Sequence, residues 1–453
     1  VVTGTKDLSS PYHVTLNLYE RDFDWTVKAG QPIERHFTVS GQSGVAVIDA
    51  DNRRVIFKIP SSVVLENLSV VSMKLGPEGV TEYFPDAASL HDFTNPVVVK
   101  VSCRNVVEEW TLYAEQVEST VSMTGVDVWT RVAWLKASGI EGGDNGFRIR
   151  KSGESVWRNV ENVTSDGGSF SAMTGGLEPL TEYECVAFSG DEVTDVSKFT
   201  TDAEAQLPNS GFETFSKAES SKYFSFYDPA SSDPALQTKW WGSGNKGSTT
   251  VGSSFAITKP DDTEKVEGEY SLKMASQYVI IKFAAGNVFS GEYAKTLGTS
   301  GGVIHLGRPF TLRPRKLFVW LKYKSGIIQK KTLDGYPEDD VVKVGDNDRG
   351  IVWVALGDWD FKEYGGTADC PVEVNTTKKE TFFDSKGPNV IAYGRFVTDH
   401  DMEWTKVEIP LEYVSTSRRP THIIVSCAAS MLGDYFTGSP DSILWVDDFK
   451  LEY

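Results

Sequence analysis

Apolar and polar residues alternate by twos through most of the chain, and helical spacing is hard to find. Short apolar runs recur at His36-Phe-Thr-Val-Ser, Val45-Ala-Val-Ile-Asp, Arg54-Val-Ile-Phe-Lys-Ile and Pro96-Val-Val-Val-Lys-Val-Ser. Successive strand side chains point to opposite faces, so this spacing predicts short strands, with Glu109-Trp-Thr-Leu-Tyr-Ala as a closing partner for the run at Pro96. Turn signals recur often enough for a sandwich, and residues 1–117 read as one β unit. Residues 118–201 read as a second. There Val126-Asp-Val-Trp-Thr-Arg-Val-Ala-Trp-Leu alternates, and Gly146-Phe-Arg-Ile-Arg-Lys-Ser forms a hairpin with Val156-Trp-Arg-Asn-Val.

A polar linker at 202–207 leads to Asn209-Ser-Gly-Phe-Glu213, which opens the largest unit, 202–453. Its predicted strands include Tyr278-Val-Ile-Ile-Lys-Phe, Lys316-Leu-Phe-Val-Trp-Leu-Lys-Tyr, Ile351-Val-Trp-Val-Ala-Leu, Trp404-Thr-Lys-Val-Glu-Ile-Pro-Leu and His422-Ile-Ile-Val-Ser-Cys. Trp320, Trp353 and Trp445 alternate with Val, Leu and Ile and are expected in the core. No repeat of roughly 34–40 residues shows through, which sets solenoids and propellers aside. Read by twos, the final run puts Ile443, Trp445, Asp447, Phe449, Leu451 and Tyr453 on one face, and Val446, Asp448, Lys450 and Glu452 on the other. Asp447 is the odd member of its face, which carries no Lys or Arg. A carboxylate buried there must be protonated, paired or bound to a metal.

Composition narrows the partners. At 453 residues the chain is long for one core, and 40% hydrophobic residues are ample for several. A net charge of −18 argues against nucleic acid and anionic membranes as partners. The four cysteines share no CxxC spacing, so a zinc or redox motif is not expected. Cys103 and Cys185 read as small buried hydrophobes, while a bridge between Cys370 and Cys427 stays open as an alternative to free thiols. No apolar run is long enough to span a membrane. Val1-Val2-Thr3 reads as the start of a trimmed mature chain.

Several phrases carry family resemblances. Asp92-Phe-Thr-Asn-Pro-Val-Val-Val-Lys-Val followed by Trp110-Thr-Leu-Tyr resembles the end of immunoglobulin-like modules of exported Bacteroidetes proteins. Leu177-Glu-Pro-Leu-Thr-Glu-Tyr183 is similar to the phrase before strand F of fibronectin type III domains, which implies a packing role for Tyr183. Asn-Ser-Gly-Phe-Glu at the start and Val-Asp-Asp-Phe-Lys-Leu at the end of the third unit resemble the brackets of jelly-roll carbohydrate-binding modules. More narrowly, Arg313-Pro, Trp320-Leu-Lys-Tyr, Ala355-Leu-Gly-Asp, Ile391-Ala-Tyr-Gly, Trp404-Thr-Lys-Val, Gly433-Asp-Tyr-Phe-Thr-Gly and Trp445-Val-Asp-Asp-Phe resemble the putative carbohydrate-metabolism domain of Bacteroidetes surface proteins.

That resemblance implies a structural calcium held by Glu213 and Asp447, with Asp448 and the Gly268–Ser271 stretch completing a hard-oxygen set. The alternative for Asp447 is that it caps a turn or accepts backbone N–H bonds. Asp346-Asn-Asp-Arg-Gly350 starts like a calcium loop but lacks the later Glu, and reads as a plain turn. Sugar binding needs flat aromatic faces and a few polar groups. Trp240, Trp241, Tyr336 and Trp359, with Asp358, lie in turn-rich loops and are the expected exposed binding set. A hydrolase would need two carboxylates across a cleft, for which Asp358 with Asp360, or Asp399 with Asp401, can be nominated. No GxSxG, HExxH or P-loop is present, and no catalytic residue is assigned.

The expectation is therefore an all-β protein: an immunoglobulin-like domain (1–117), a fibronectin-III-like domain (118–201) and a jelly-roll carbohydrate-binding-like domain (202–453). It would be a non-catalytic, monomeric glycan-binding lipoprotein of a polysaccharide-utilisation system, tethered upstream of Val1 at the outer-membrane surface or in the periplasm. The alternatives are a glycoside hydrolase and an adhesin or fimbria-like structural protein.

Overall fold

The structure, a computed structural model, describes residues 12–27, 33–61, 63–103, 106–117, 121–329 and 342–453. Its regular structure is nearly all strand, and no described helix is long and apolar enough to cross a membrane. Chain contacts separate two units. One comprises residues 1–126, 133–175 and 182–200; the other comprises 127–132, 176–181 and 201–453.

In the first unit, the strands predicted at Val45, Arg54, Pro96 and Glu109 form one sheet with Thr81–Phe84, in which Arg54–Pro60 runs parallel to Val106–Val117. Phe37, Phe57 and Phe93 meet edge-on or tilted at 5.1–6.5 Å, and Trp110 is fully enclosed beside them. Farther along, two more sheets are built on Ala133–Ser138 with Ser169–Thr174, and on Asn145–Lys151 with Glu182–Ser189. Tyr183 is buried and stacks on Phe199 at 5.8 Å, the packing role expected of it.

The second unit is a sandwich built on eight principal strands: β1 (Ser271–Ala275), β2 (Asn287–Leu297), β3 (Lys316–Lys324), β4 (Gly350–Gly357), β5 (Val390–Thr398), β6 (Met402–Pro410), β7 (His422–Ala428) and β8 (Ile443–Glu452). One sheet runs β1-β8-β3-β6, with Thr258–Asp261 beside β1. The other has β2-β7-β4-β5 at its centre, extended past β2 by Gly301–Leu306 and Val372–Asn375. First therefore pairs with last, second with seventh, third with sixth and fourth with fifth. That nested antiparallel order is the jelly roll. The sheets meet through alternate residues: Leu317, Val319 and Leu321 of β3 and Val407 and Ile409 of β6 face Val352, Val354 and Leu356 of β4 and Ile423 and Val425 of β7. Each such side chain contributes roughly 1.5–3 kcal/mol on burial.

Two expectations change here, and one open alternative closes. Trp320 and Trp353 occupy the opposite phase of their strands and lie, partly exposed, on the outer faces of the two sheets. Trp445 also points outward from β8, although only 7% of it is exposed. Asp261 accepts its indole N–H at 3.1 Å, and the ammonium groups of Lys273 and Lys322 lie 4.9 and 5.9 Å from the ring. Finally, Cys370 and Cys427 are buried free thiols, as is Cys185, so no bridge joins them.

Candidate functional site

The face assigned to Asp447 is not continuous. Phe318 of β3 pairs with Lys450, but Trp320 pairs with Asp447, so Val319 alone opposes both Asp448 and Phe449. This is a β-bulge, with Asp448 in left-handed backbone at φ 44°. Alternation restarts across it: Leu444 and Val446 face the core before the bulge, Phe449 and Leu451 after it. Asp447 thus shares the outer face with Trp445 and does not enter the core. It is nevertheless fully enclosed, because the segment 264–270 closes over it.

That segment is gathered by two carboxylates. Val266 and Glu267 donate their backbone N–H groups to Asp447 Oδ2 at 2.9 and 3.1 Å. Glu269 and Tyr270 donate theirs to the Glu213 carboxylate at 3.1–3.2 Å. Gly268 sits between at φ 63°, where a β-carbon would collide with Glu213. Amide hydrogens, where carbonyls were expected, therefore face the pair. Ser271 is enclosed, and its hydroxyl donates to the Glu264 carbonyl. Asp448 contributes its backbone N–H to Asp447. One atom is left over: Asp447 Oδ1, buried with no hydrogen-bond partner among the described residues. Burial pushes the Asp447 carboxyl above the usual range; the backbone N–H bonds oppose the shift and the Glu213 charge adds to it. Among the described residues no three His, Cys, Asp or Glu side chains converge as metal ligands. A hard cation here would depend on Asp447 Oδ1 and the Glu213 carboxylate.

The expected aromatic platform is mostly not a platform. Trp241 is 1% exposed, stacks on Phe449 at 5.6 Å and donates its indole N–H to the Pro208 carbonyl at 2.9 Å. Trp359 is 4% exposed and meets Phe383 edge-on. Both rings fill apolar space that adjoining strands leave open, so neither offers a face to solvent. Trp240 is half-buried against the same core. Tyr336 lies outside the described residues.

What loop reasoning missed is on the outer face of the second sheet. There a separate cluster of Phe289, Leu306, Ala355, Val372, Val374, Val390 and Ile424 carries a partly exposed aromatic layer. Trp353 stacks in parallel with Phe383 at 4.6 Å, and Tyr393 lies 6.4 Å from the same ring. Ser426 and Arg395 are the cross-strand neighbours of Trp353. A fixed polar network borders this layer: Arg418 grips both oxygens of Asp358 at 2.7 and 2.9 Å, Asn389 donates to Asp358 at 3.1 Å, and the Tyr364 hydroxyl donates to Asn389 at 2.8 Å. Of the expected residues two belong here: Asp358 in the polar network, and Trp359 as a buried member of the cluster.

Each nominated acid already has a partner. Besides Asp358, Asp360 caps the short helix at Lys362, Asp399 faces His400, and Asp401 accepts from the Ser325 backbone. Asp348 of the Asp346–Gly350 turn does more than turn the chain: it is buried and accepts from Ser430, Ser439, Ser442 and Arg349 at 2.6–2.8 Å. Strand register, invisible in the sequence, aligns Glu292, His305 and Glu373 on three neighbouring strands. The two carboxylates flank the imidazole, Glu292 3.4 Å from Nδ1 and Glu373 3.5 Å from Nε2.

A family model described as "Putative carbohydrate metabolism domain" matches residues 211–452. Among solved structures, a putative glycoside hydrolase from Bacteroides thetaiotaomicron is 15% identical with a TM-score of 0.35, covering 92% of this chain and 95% of its own. A putative glycoside hydrolase from Bacteroides vulgatus is 21% identical with a TM-score of 0.38, covering 53% of this chain and 96% of its own. The CBM22-1-CBM22-2 tandem of Paenibacillus barcinonensis Xyn10C is 10% identical with a TM-score of 0.17, covering 83% and 91%. No curated protein matches the chain.

Proposed function

The chain belongs to the family of the putative carbohydrate metabolism domain, and on that premise we propose that it is a non-catalytic glycan-binding protein whose ligand lies on the outer face of the second sheet. The observation that carries this is the Trp353–Phe383–Tyr393 layer: flat rings, partly open, on a sheet face that the sandwich core does not use. Pyranose rings present C–H faces that pack on such surfaces, while Asp358, Arg418 and Asn389 are held ready for hydroxyl groups. The first unit serves as a spacer. The protein works as a monomeric, lipid-anchored surface protein in polysaccharide uptake.

The orphaned Asp447 Oδ1 beside the Glu213 carboxylate leaves an acceptor open to a cation, and we propose calcium as a structural ion of that site. Bound there, it supplies positive charge to two carboxylates, while Val266, Glu267, Glu269 and Tyr270 hold the loop around them. A hydrolase remains the second reading, favoured by the Glu292–His305–Glu373 row, because glycoside cleavage uses two carboxyl groups.

A glycan array tests the proposal. Binding of at least one glycan class is expected, weakened tenfold or more by Trp353→Ala, about 1.4 kcal/mol. Binding unchanged by Trp353→Ala would remove this face from consideration. Turnover of a bound glycan, lost in Glu292→Gln and Glu373→Gln, would favour the hydrolase.

A further inference from the structure

A second place in the same unit has the makings of a site. Beside the strand Trp241–Gly242, a narrow recess is lined by Glu219, Tyr223, Ser225, Lys239, Lys246 and Tyr293, among others. Aromatic rings form much of its wall. Its polar chemistry is unbalanced. Ser225 is 5% exposed and its hydroxyl has no hydrogen-bond partner among the described residues. Tyr223 donates to Glu219 at 3.3 Å, and Lys239 pairs with Glu219 at 2.8 Å, so the one carboxylate is already shared. Lys246 reaches only the carbonyls of Tyr293 and Ala294, both at 3.4 Å. Lys222, next in the chain to Tyr223, reaches only those of Thr249 and Thr250. On a chain of net charge −18, this is a local surplus of positive charge and of donors.

A donor-rich recess matches a group that only accepts. A buried hydroxyl left without a partner is destabilising, and an entering acceptor would relieve it. The recess is too narrow for a whole pyranose and has room for about one carboxylate oxygen of a sugar lying across it. We propose that it is a subsite for the carboxylate of a uronic acid residue, so that the glycan recognised is an acidic one. Ser225 Oγ–H would donate to one carboxylate oxygen and the Lys246 ammonium would neutralise the charge, while Tyr223 and Tyr293 would line the sugar's apolar edge. The inference rests on the glycan-binding reading above and names the class of ligand for it.

The test uses the full chain and a panel of uronate-bearing glycans, each beside its carboxyl-reduced counterpart, with affinities from titration calorimetry. The expected result is tenfold or more tighter binding of the acidic member of a pair. Lys246→Met, a substitution on an exposed side chain, should abolish that difference, and Ser225→Ala should reduce it. Trp353→Ala should weaken both members alike. Equal binding of acidic and reduced glycans, or a preference that survives Lys246→Met, would overturn the uronate subsite and leave the glycan reading standing. Failure of every glycan to bind would overturn both.

Discussion

Asp447 is enclosed on every side with one oxygen bonded and the other bare, so whatever meets that bare oxygen sets its charge. With calcium bound, chelation should lower the melting temperature, and Asp447→Asn should lower it too while removing the response to chelator. Unchanged melting in chelator would sink the metal. The pH response separates the cases as well. Burial raises the Asp447 pKa in the folded state, so without metal the folded form binds a proton more readily than the unfolded chain. That contribution to stability is greatest below the unfolded value of about 4 and is lost as pH rises through the folded value. With metal the trend reverses, because protons compete with the ion. Denaturant titrations across acidic pH, with and without calcium, would read the sign. The sequence flagged Asp447 correctly as an anomaly but misplaced it, because alternation by twos assumes an unbroken strand.

Elements show why. The bulge at Asp448 adds one residue to β8 and hands the core-facing role from even to odd positions. Asp448 tolerates left-handed backbone better than most residues, and a β-branched side chain would not. Asp448→Val should cost about 1–2 kcal/mol in urea unfolding, and Asp448→Gly little or nothing. A neutral valine would mean that the bulge relaxes without penalty. The same limit applies to the tryptophans. Trp353 and Trp320 lie on strands apolar in both phases, so hydrophobic spacing could not say which phase faced inward. Loop position was a poor guide in the other direction: Trp241 and Trp359 sit in turn-rich sequence, yet space between packed elements draws them in. The Glu292–His305–Glu373 row was beyond reach of spacing altogether, since only register aligns residues so far apart in sequence.

For the molecule as a whole, the all-β class and the jelly-roll unit were legible, because period-two spacing and the bracketing phrases are local signals. The composition of the unit was not. Segments 127–132 and 176–181 belong with 201–453. Trp129 packs on Tyr413 at 4.4 Å and donates to the Thr416 carbonyl at 2.9 Å, while buried Arg313 donates to the carbonyls of Val128 and Thr416 and to Asp202. A fragment of residues 201–453 would lose Trp129 and the Val128 carbonyl, while keeping Asp202 and Thr416. Leaving a buried group unpaired costs about 1–3 kcal/mol, so the fragment should melt roughly 2–10 °C below one of residues 121–453. Calorimetry on both fragments decides it, and equal melting would mean that the two segments contribute nothing. The nested strand order has a consequence in time. β8 fills the space between β1 and β3, and Leu272 of β1 pairs with Val446. A chain delivered from its N-terminus exposes both flanking edges until β8 arrives, so the β1-β8-β3-β6 sheet cannot close early. Completion of this sandwich therefore waits for nearly all of the unit's residues, whether the chain is being synthesised or threaded through a pore.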